Sequence, residues 1–406
     1  MKLSKQQIAY CSNVHPGDDL PSVINNIQCY FSAVKQKRGL QQMASGLWLS
    51  ANTAAQLNQD TDLLFSFKCL LEQQGLNLTS LNGFPYGNFH QKVVKESVYL
   101  PTWAQLERLE YTQQLAKILA YCLPKEERFG AISTLPLAYA KSWSDEQHHS
   151  ATIHLIQLAE YLACLERESG KRIVVCIEME PDCVLQSTIE LIQFFKQALI
   201  PAAKNAGMSP QTLCRYIACC FDTCHQAVMG EDIEKALQSI VDAGIFVGKV
   251  QISNALSAKL TDISEAEQLT SMFNDDKFLH QTKVFLAGNL HREIADLNKG
   301  SLSHLLAQEQ TSPYSLSIHY HIPINQTQQD LPLPFIDSTQ AAILAALDFI
   351  TDKLDYAPKL EIETYTWLNF LSASNSQDDI DARLIEGLVA EFDWLEKALA
   401  ERDVLV

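Results

Sequence analysis

No stretch of the chain approaches the roughly 18 uninterrupted apolar residues that a membrane-spanning helix requires. The opening residues, Met1-Lys2-Leu3-Ser4-Lys5-Gln6-Gln7, lack the apolar run of a signal peptide. A soluble, cytoplasmic protein without a transmembrane segment is expected. Basic residues are scarce: 31 lysines and arginines face 48 acidic residues, a net charge of −17. A surface that negative repels nucleic acid and anionic lipid over long range, so no nucleic-acid partner is expected. Phosphate loops of the P-loop and GxGxxG kinds are missing, which excludes the common nucleotide-binding sites. Paired CxxC motifs are missing too, which argues against a thiolate-rich zinc site. The eleven cysteines are odd in number and scattered through apolar segments, the pattern of buried free thiols in a reducing compartment. No linker rich in Pro, Gly or Ser divides the 406 residues, and 1–406 reads as one domain.

What the chain does contain is a recurrence of strand-length apolar runs, nearly all followed by a helical pattern. Candidate strands lie at 8–14, 46–50, 78–84, 129–135, 173–179, 216–221, 247–252, 316–322 and 360–364. Their spacing is that of βα units, and the runs are apolar on both faces, as parallel strands covered by helices require. Between them, Thr102 with Gln105 gives a capping-box signal ahead of a stripe through Leu106, Leu109, Leu115, Ile118, Leu119 and Cys122. Ile233, Leu237, Ile240 and Val241 repeat the pattern, with Gly244 placed to end that helix. An amphipathic stretch from Ile380 to Leu399 predicts a C-terminal helix over 378–402. The fold class that follows is α/β, a (β/α)8 TIM barrel. Nine runs are one more than such a barrel holds. The interval from Val247 to Leu316 is overlong and carries an extra apolar run at 284–286, so either an insertion over 256–314 is expected before the last strands or one of the nine strands lies outside the barrel.

Parallel barrels carry their active sites on the loops that follow the strands. Here the first strand delivers Cys11-Ser12-Asn13-Val14-His15, the fifth Glu178-Met179-Glu180 and the sixth Asp222-Thr223-Cys224-His225. The seventh gives Gln251, followed by His319-Tyr320-His321 and by Glu361-Ile362-Glu363-Thr364-Tyr365. A carboxylate-rich set with one or two imidazoles suits one or two divalent ions, Mn²⁺, Mg²⁺ or Zn²⁺. Glu178 or Glu180, Asp222, His225 and Glu363 are the candidate ligands, with His319 and His321 as further contacts to metal or substrate. Such an ion polarises a carbonyl–hydroxyl pair, and two carboxylates then serve as base and acid. His15, Asn82, Tyr86 and His90 are the candidates for holding a small polar substrate, with Tyr86 in an aromatic wall.

Each of these residues also has a plainer reading. Glu178 and Glu180 alternate on one face, where either can form a buried salt bridge. His225, three residues after Asp222, is placed to cap a helix. His319 and His321 at strand spacing are ordinary for a core or rim. Residues 82–87 can be a turn required by Gly and Pro.

In order and strand placement, Glu178-Met179-Glu180-Pro181, Asp222-Thr223-Cys224-His225 and Glu363 resemble the xylose isomerase-like superfamily, which includes sugar phosphate isomerases and epimerases and the endonuclease IV type of repair nuclease. Tyr10-Cys11-Ser12-Asn13-Val14-His15-Pro16-Gly17, Asn82-Gly83-Phe84-Pro85-Tyr86-Gly87, Ser133-Thr134-Leu135-Pro136 and the run from Glu361 to Trp367 are similar to the EboE family, metabolite-traffic proteins of the ebo cluster. The superfamily resemblance implies that Glu178 and Glu363 are metal ligands and also the acid–base pair. It implies that Asp222 is the strand-six ligand, with His225 on metal or substrate. At the strand-seven position, where the superfamily usually has His, stands Gln251, a weaker and neutral ligand; His321 is then a candidate substitute. The EboE resemblance implies a place in secondary-metabolite export, with other proteins of the ebo cluster as partners.

The expected function is therefore a metal-dependent isomerase or epimerase of a small sugar, sugar phosphate or polyol. A non-catalytic barrel that binds or scaffolds a metabolite is the first alternative, favoured by Gln251. An endonuclease IV-like phosphodiesterase is the second, opposed by the net charge of −17.

Overall fold

The structure, a computed structural model, describes residues 2–87, 89–91, 93–273, 277–298, 300, 302, 313–371 and 376–406. Eight parallel strands make one sheet: β1 Ala9–Tyr10, β2 Met43–Trp48, β3 Leu76–Asn82, β4 Gly130–Thr134, β5 Ile173–Ile177, β6 Ile217–Asp222, β7 Val247–Ile252 and β13 Lys359–Ile362. Their order is β1-β13-β7-β6-β5-β4-β3-β2, and a parallel bridge between Cys11 and Gly46 joins the two edges. The chain forms a (β/α)8 barrel. β1 is shorter than the apolar run at 8–14: a 3-10 turn at Ser12–Val14 ends it. The capping-box pair is used, but one turn early. Thr102 N donates to Gln105 Oε1 at 2.8 Å, and the helix itself spans Leu106–Cys122.

Inside the barrel, side chains alternate in layers. Asn82, Glu178, Asp222, Gln251 and Glu363 each stand two residues beyond Ser80, Cys176, Cys220, Lys249 and Glu361. That lower layer is polar at its centre. Lys249 Nζ donates to Glu361 Oε1 at 2.7 Å and to Ser133 Oγ at 3.2 Å, while Ser80 Oγ donates to Glu361 Oε2. Both charged groups are fully buried. Gly46 makes room for them: a Cβ there would lie 1.9 Å from Glu361 Oε2.

The ninth apolar run, 316–322, does not belong to the barrel. It lies in β11, Tyr314–Ile322, of a second sheet with β8 Asn254–Leu260, β9 Thr282–Leu286, β10 Asn289–Ile294 and β12 Ile336–Ser338. The order is β10-β9-β11-β8-β12, antiparallel throughout. Part of the 256–314 stretch lies outside the described residues; its described parts supply most of this sheet. Leu256, Leu260, Leu269, Phe273, Val284 and Leu316 are among the residues of an apolar core separate from that of the barrel. Lys283, fully buried, ties the sheet to the loop after β5, with Asp182 Oδ1 at 2.7 Å and Glu293 Oε1 at 2.9 Å.

The last helix, Gln377–Ala400, packs on the barrel through Phe392, over whose ring the Arg38 guanidinium lies at 3.7 Å. Its buried Glu391 accepts hydrogen bonds from Ile324 N, Thr364 Oγ1 and Trp367 Nε1. One carboxylate thus pins the end of the second sheet and the loop after β13. The expectation of buried thiols needs correction at Cys29 and Cys164, which are exposed on helix surfaces.

Candidate metal centre

Glu178 and Glu180 follow β5, Asp222 closes β6, Glu363 follows β13, and His225 sits in the helix Thr223–Val228 directly after β6. His319 and His321 come from β11 of the second sheet, at a bulge in its pairing with β8 between Ile318 and His321. Bulges next to functional sites re-aim side chains in this way. All seven residues are buried.

Backbone and amide oxygens fix the tautomers of the three imidazoles. His225 Nδ1 meets Met179 O at 3.0 Å and His321 Nδ1 meets Glu363 O at 2.8 Å. A carbonyl only accepts, so each ring carries its hydrogen on Nδ1. His319 Nδ1 faces Gln281 Oε1 at 2.8 Å, and the Gln281 amide is oriented by Tyr99 OH at 3.0 Å and Pro181 O at 3.3 Å, both acceptors for its Nε2. The three Nε2 lone pairs are left pointing at one region, with those of His225 and His319 only 3.1 Å apart. Two acceptors facing each other at that distance repel unless a metal ion stands beside them or a proton is shared between them.

The carboxylates add to the same demand. Asp222 Oδ1 accepts from Ser253 Oγ at 2.6 Å and His225 N at 3.0 Å. Glu363 Oε1 accepts from Asn13 Nδ2 at 2.7 Å and Asn82 Nδ2 at 3.1 Å. Asp222 Oδ2, Glu363 Oε2 and His321 Nε2 are buried without a hydrogen-bond partner. Orphaned buried polar atoms are costly and rare, and those of Asp222 and His321, which fall in one ligand set with His225, fit a cation. Among the described residues three ligand sets have all their donor atoms within 4.8 Å of one another: Cys224 with His319 and His321, and two that include a carboxylate, namely Asp222, His225 and His321, and Glu180, His225 and His319. Both carboxylate sets use His225, which has one nitrogen to give. A donor set of imidazoles and carboxylate suits Zn²⁺ or Mn²⁺ better than Mg²⁺, which prefers oxygen alone.

Crowding shows in the acidities. Burial, then Asp222, push the Glu363 carboxyl up to about 8. Burial, then Glu363 and Asp222, push Glu178 well above the usual carboxylate range. Burial also raises Glu180, whose Oε1 accepts from Tyr99 OH at 2.6 Å. Burial, then the neighbouring imidazole of His225, hold His319 far below its ordinary value, and burial pushes His321 down to about 4.

Glu178, Glu180, His225, His319, His321, Glu363 and Asn82 line one cavity with about 570 Å³ free of protein atoms, part of it open to solvent. Other expected residues go elsewhere. Gln251 is drawn inward, donating to Glu178 Oε1 at 3.3 Å and accepting from Cys220 Sγ at 3.1 Å. His15 stacks on Tyr30 with ring centroids 4.1 Å apart and meets Tyr10 OH at 3.0 Å, outside the cavity lining. The 3-10 turn after β1 swings it there. Tyr86 packs edge-on against Tyr111 instead of forming the wall, and His90 Nε2 is held by Asn13 O at 2.9 Å. Neither lines the cavity. Sequence reasoning did not single out Asn13, Tyr99 or Gln281 as site residues. Asn13 had a signal, its place at the end of the first strand; Tyr99 and Gln281 lie in stretches without a motif.

No family model matches the chain, and a search of curated proteins gives no match. Among solved structures the chain is similar to a protein described as a sugar phosphate isomerase/epimerase from Anabaena variabilis, at 15% identity over 60% of this chain and 72% of that one, with a TM-score of 0.40. It is also similar to the IolI protein with a bound zinc atom, at 10% identity over 99% of each chain and a TM-score of 0.47. The AsfvAP:AG structure follows at 11% identity over 97% of this chain and 98% of that one, with a TM-score of 0.43. With every TM-score below 0.5, the chemistry rests on the side chains of this chain alone.

Proposed function

We propose that the protein is a metal-dependent isomerase or epimerase of the xylose isomerase-like kind, working in the cytoplasm on a small sugar, sugar phosphate or polyol. EboE-type metabolite traffic is the pathway this reading favours, with other ebo-cluster proteins as partners. One observation carries it: three imidazoles, each held through Nδ1, stand together with the orphaned carboxylate oxygen of Asp222, and Glu363, which lines the same cavity, has an unpartnered oxygen of its own. Asp222, His225 and His321 would hold the ion, with Glu363 beside them; Glu180 and His319 offer the second set. A divalent ion there supplies Lewis-acid stabilisation of negative charge developing on a substrate oxygen. The remaining work falls to the protein. Glu363 keeps one carboxyl oxygen clamped by Asn13 and Asn82 and the other unpartnered. A carboxyl raised to about 8 exchanges protons readily near neutral pH. Glu178, raised in the same direction, is its counterpart across the barrel mouth. His319 and His321 of the second sheet line the same cavity as both carboxyls.

The test is deuterium uptake. Aldoses and ketoses turned over by zinc- or manganese-loaded protein in heavy water are expected to gain deuterium at the carbon beside the carbonyl, and Glu363→Gln is expected to abolish the uptake while the ion stays bound. Turnover without uptake contradicts proton-transfer chemistry. The Gln251–Glu178 hydrogen bond favours a second reading, a metabolite-binding barrel without catalysis; pathway output that survives Glu363→Gln in a folded protein selects it. Nicking of an abasic duplex at low salt would instead select the phosphodiesterase reading.

A further inference from the structure

The cavity has two unlike sides. Beside the carboxylates and imidazoles, the same cavity is lined by Phe84, Phe89, Val98, Phe278, Leu279 and Tyr365. Three of these rings arrive from separate segments: Phe89 after β3, Phe278 before β9 and Tyr365 after β13. Their centroids are 5.1 Å apart for Phe89 and Phe278, 5.0 Å for Phe278 and Tyr365, and 6.0 Å for Phe89 and Tyr365. The Tyr365 ring is in turn 4.6 Å from that of His321. The apolar wall therefore begins one ring away from a ligand imidazole.

A sugar hydroxylated at every carbon would desolvate hydroxyls against this wall without partners for them, which is costly. An aryl or alkyl body gains there from burial and ring contact. Among the described residues the cation lining the cavity is Lys95, and its ammonium is already 2.6 Å from Asp296. A phosphate group would have to break that pair, or draw Lys277 off the Phe278 ring, over which its ammonium lies 4.7 Å from the centroid. We infer that, within the metal-dependent chemistry proposed above but in place of its sugar, sugar phosphate and polyol substrates, the substrate is amphipathic: a chelating pair of oxygens, such as an α-hydroxycarbonyl, carried on a compact aromatic or alkyl body and bearing no phosphate. The chelating end rests on the metal reading proposed above; the apolar body rests on the wall.

Three hydroxamates separate these claims, because they share one chelating head and differ in the body: acetohydroxamate, benzohydroxamate and phosphoglycolohydroxamate. Calorimetric titration of the full-length, zinc-loaded protein is expected to show benzohydroxamate binding about tenfold or more tighter than acetohydroxamate, with phosphoglycolohydroxamate no tighter than the acetyl compound. Phe278→Ala, or Phe89→Ala as a second variant, is expected to remove most of the benzoyl preference and leave acetohydroxamate affinity unchanged. Equal binding of the acetyl and benzoyl compounds, a preference for the phosphate, or failure of all three to bind overturns the inference. Metal analysis before titration reports on the ion separately. On chelator-stripped protein all three weaken together, and the benzoyl-to-acetyl ratio still reads the wall.

Discussion

The barrel and the sheet laid across its mouth are built on different rules, and the candidate site exists where they meet. Barrel strands are parallel, buried on both faces and braced from within by the ion pair of Lys249 and Glu361. They deliver carboxylates: Glu178, Asp222 and Glu363. The second sheet is antiparallel, has its own small core and is docked through Lys283. It delivers His319 and His321, together with Gln281, which sets a tautomer. Carboxylates alone would make a site for a hard cation; the imidazoles move the preference toward zinc-like ions. A barrel without this sheet would keep its acids and a single imidazole, His225, and so lose most of that preference.

The largest expected effect breaks the barrel side. Lys249→Met leaves Glu361 buried and unpaired and is expected to cost about 3–5 kcal/mol in thermal unfolding, much of it recovered by adding Glu361→Leu. A single variant as stable as the parent would show that the pair does not brace the barrel. Lys283→Met attacks the other side. Its partners keep some contact with water, so the expected loss is smaller, about 2–3 kcal/mol. It should appear as faster hydrogen exchange in 254–338 with barrel strands still protected; uniform loosening would mean that the two regions unfold as one.

Acid–base behaviour sharpens the contrast, because the two regions contribute with opposite sign. His321, pushed down to about 4 from 6.5, makes the folded state bind fewer protons than the unfolded, so stability rises with pH over that window and is level above it. Glu363, pushed up to about 8 from 4.5, makes the folded state bind more protons, so stability falls as pH rises through that window. Between pH 6.5 and 8 the imidazole contribution is complete and the carboxyl remains. Metal-free protein is expected to lose about 2 kcal/mol across that interval. Saturating Zn²⁺ should abolish or reverse the slope, because ligation holds the carboxylates ionised. Denaturant unfolding at the two pH values checks it, and a rise in stability without metal contradicts it. The smallest effect is expected from Gln281→Leu, which frees the His319 tautomer: a roughly tenfold loss of zinc affinity by competitive titration, against no change if His319 is only a packing residue.

The barrel was legible in the sequence because its strands are continuous apolar runs followed by helices, and β5, β6 and β7 need nothing more. The second sheet was not. β8 starts one residue after β7 is left behind at Ser253, and β10 is almost wholly exposed, so neither reads as a distinct strand. β11 misleads in the other direction: nine residues with an apolar centre look like a barrel strand, although its hydrogen bonds run antiparallel to β8 and β9. Alternation shows that His319 and His321 share a face. It does not show that the face meets His225, 94 residues earlier in the chain. Nor does pattern reveal His15 turning away after β1, or Glu391 in the last helix fastening the loop that carries Glu363.

The most direct measurement is a map of anomalous scattering from a zinc-loaded crystal, recorded at the zinc edge. The account predicts one strong peak within bonding distance of Asp222, His225 and His321. A peak elsewhere, or none in a crystal grown with saturating zinc, would contradict it.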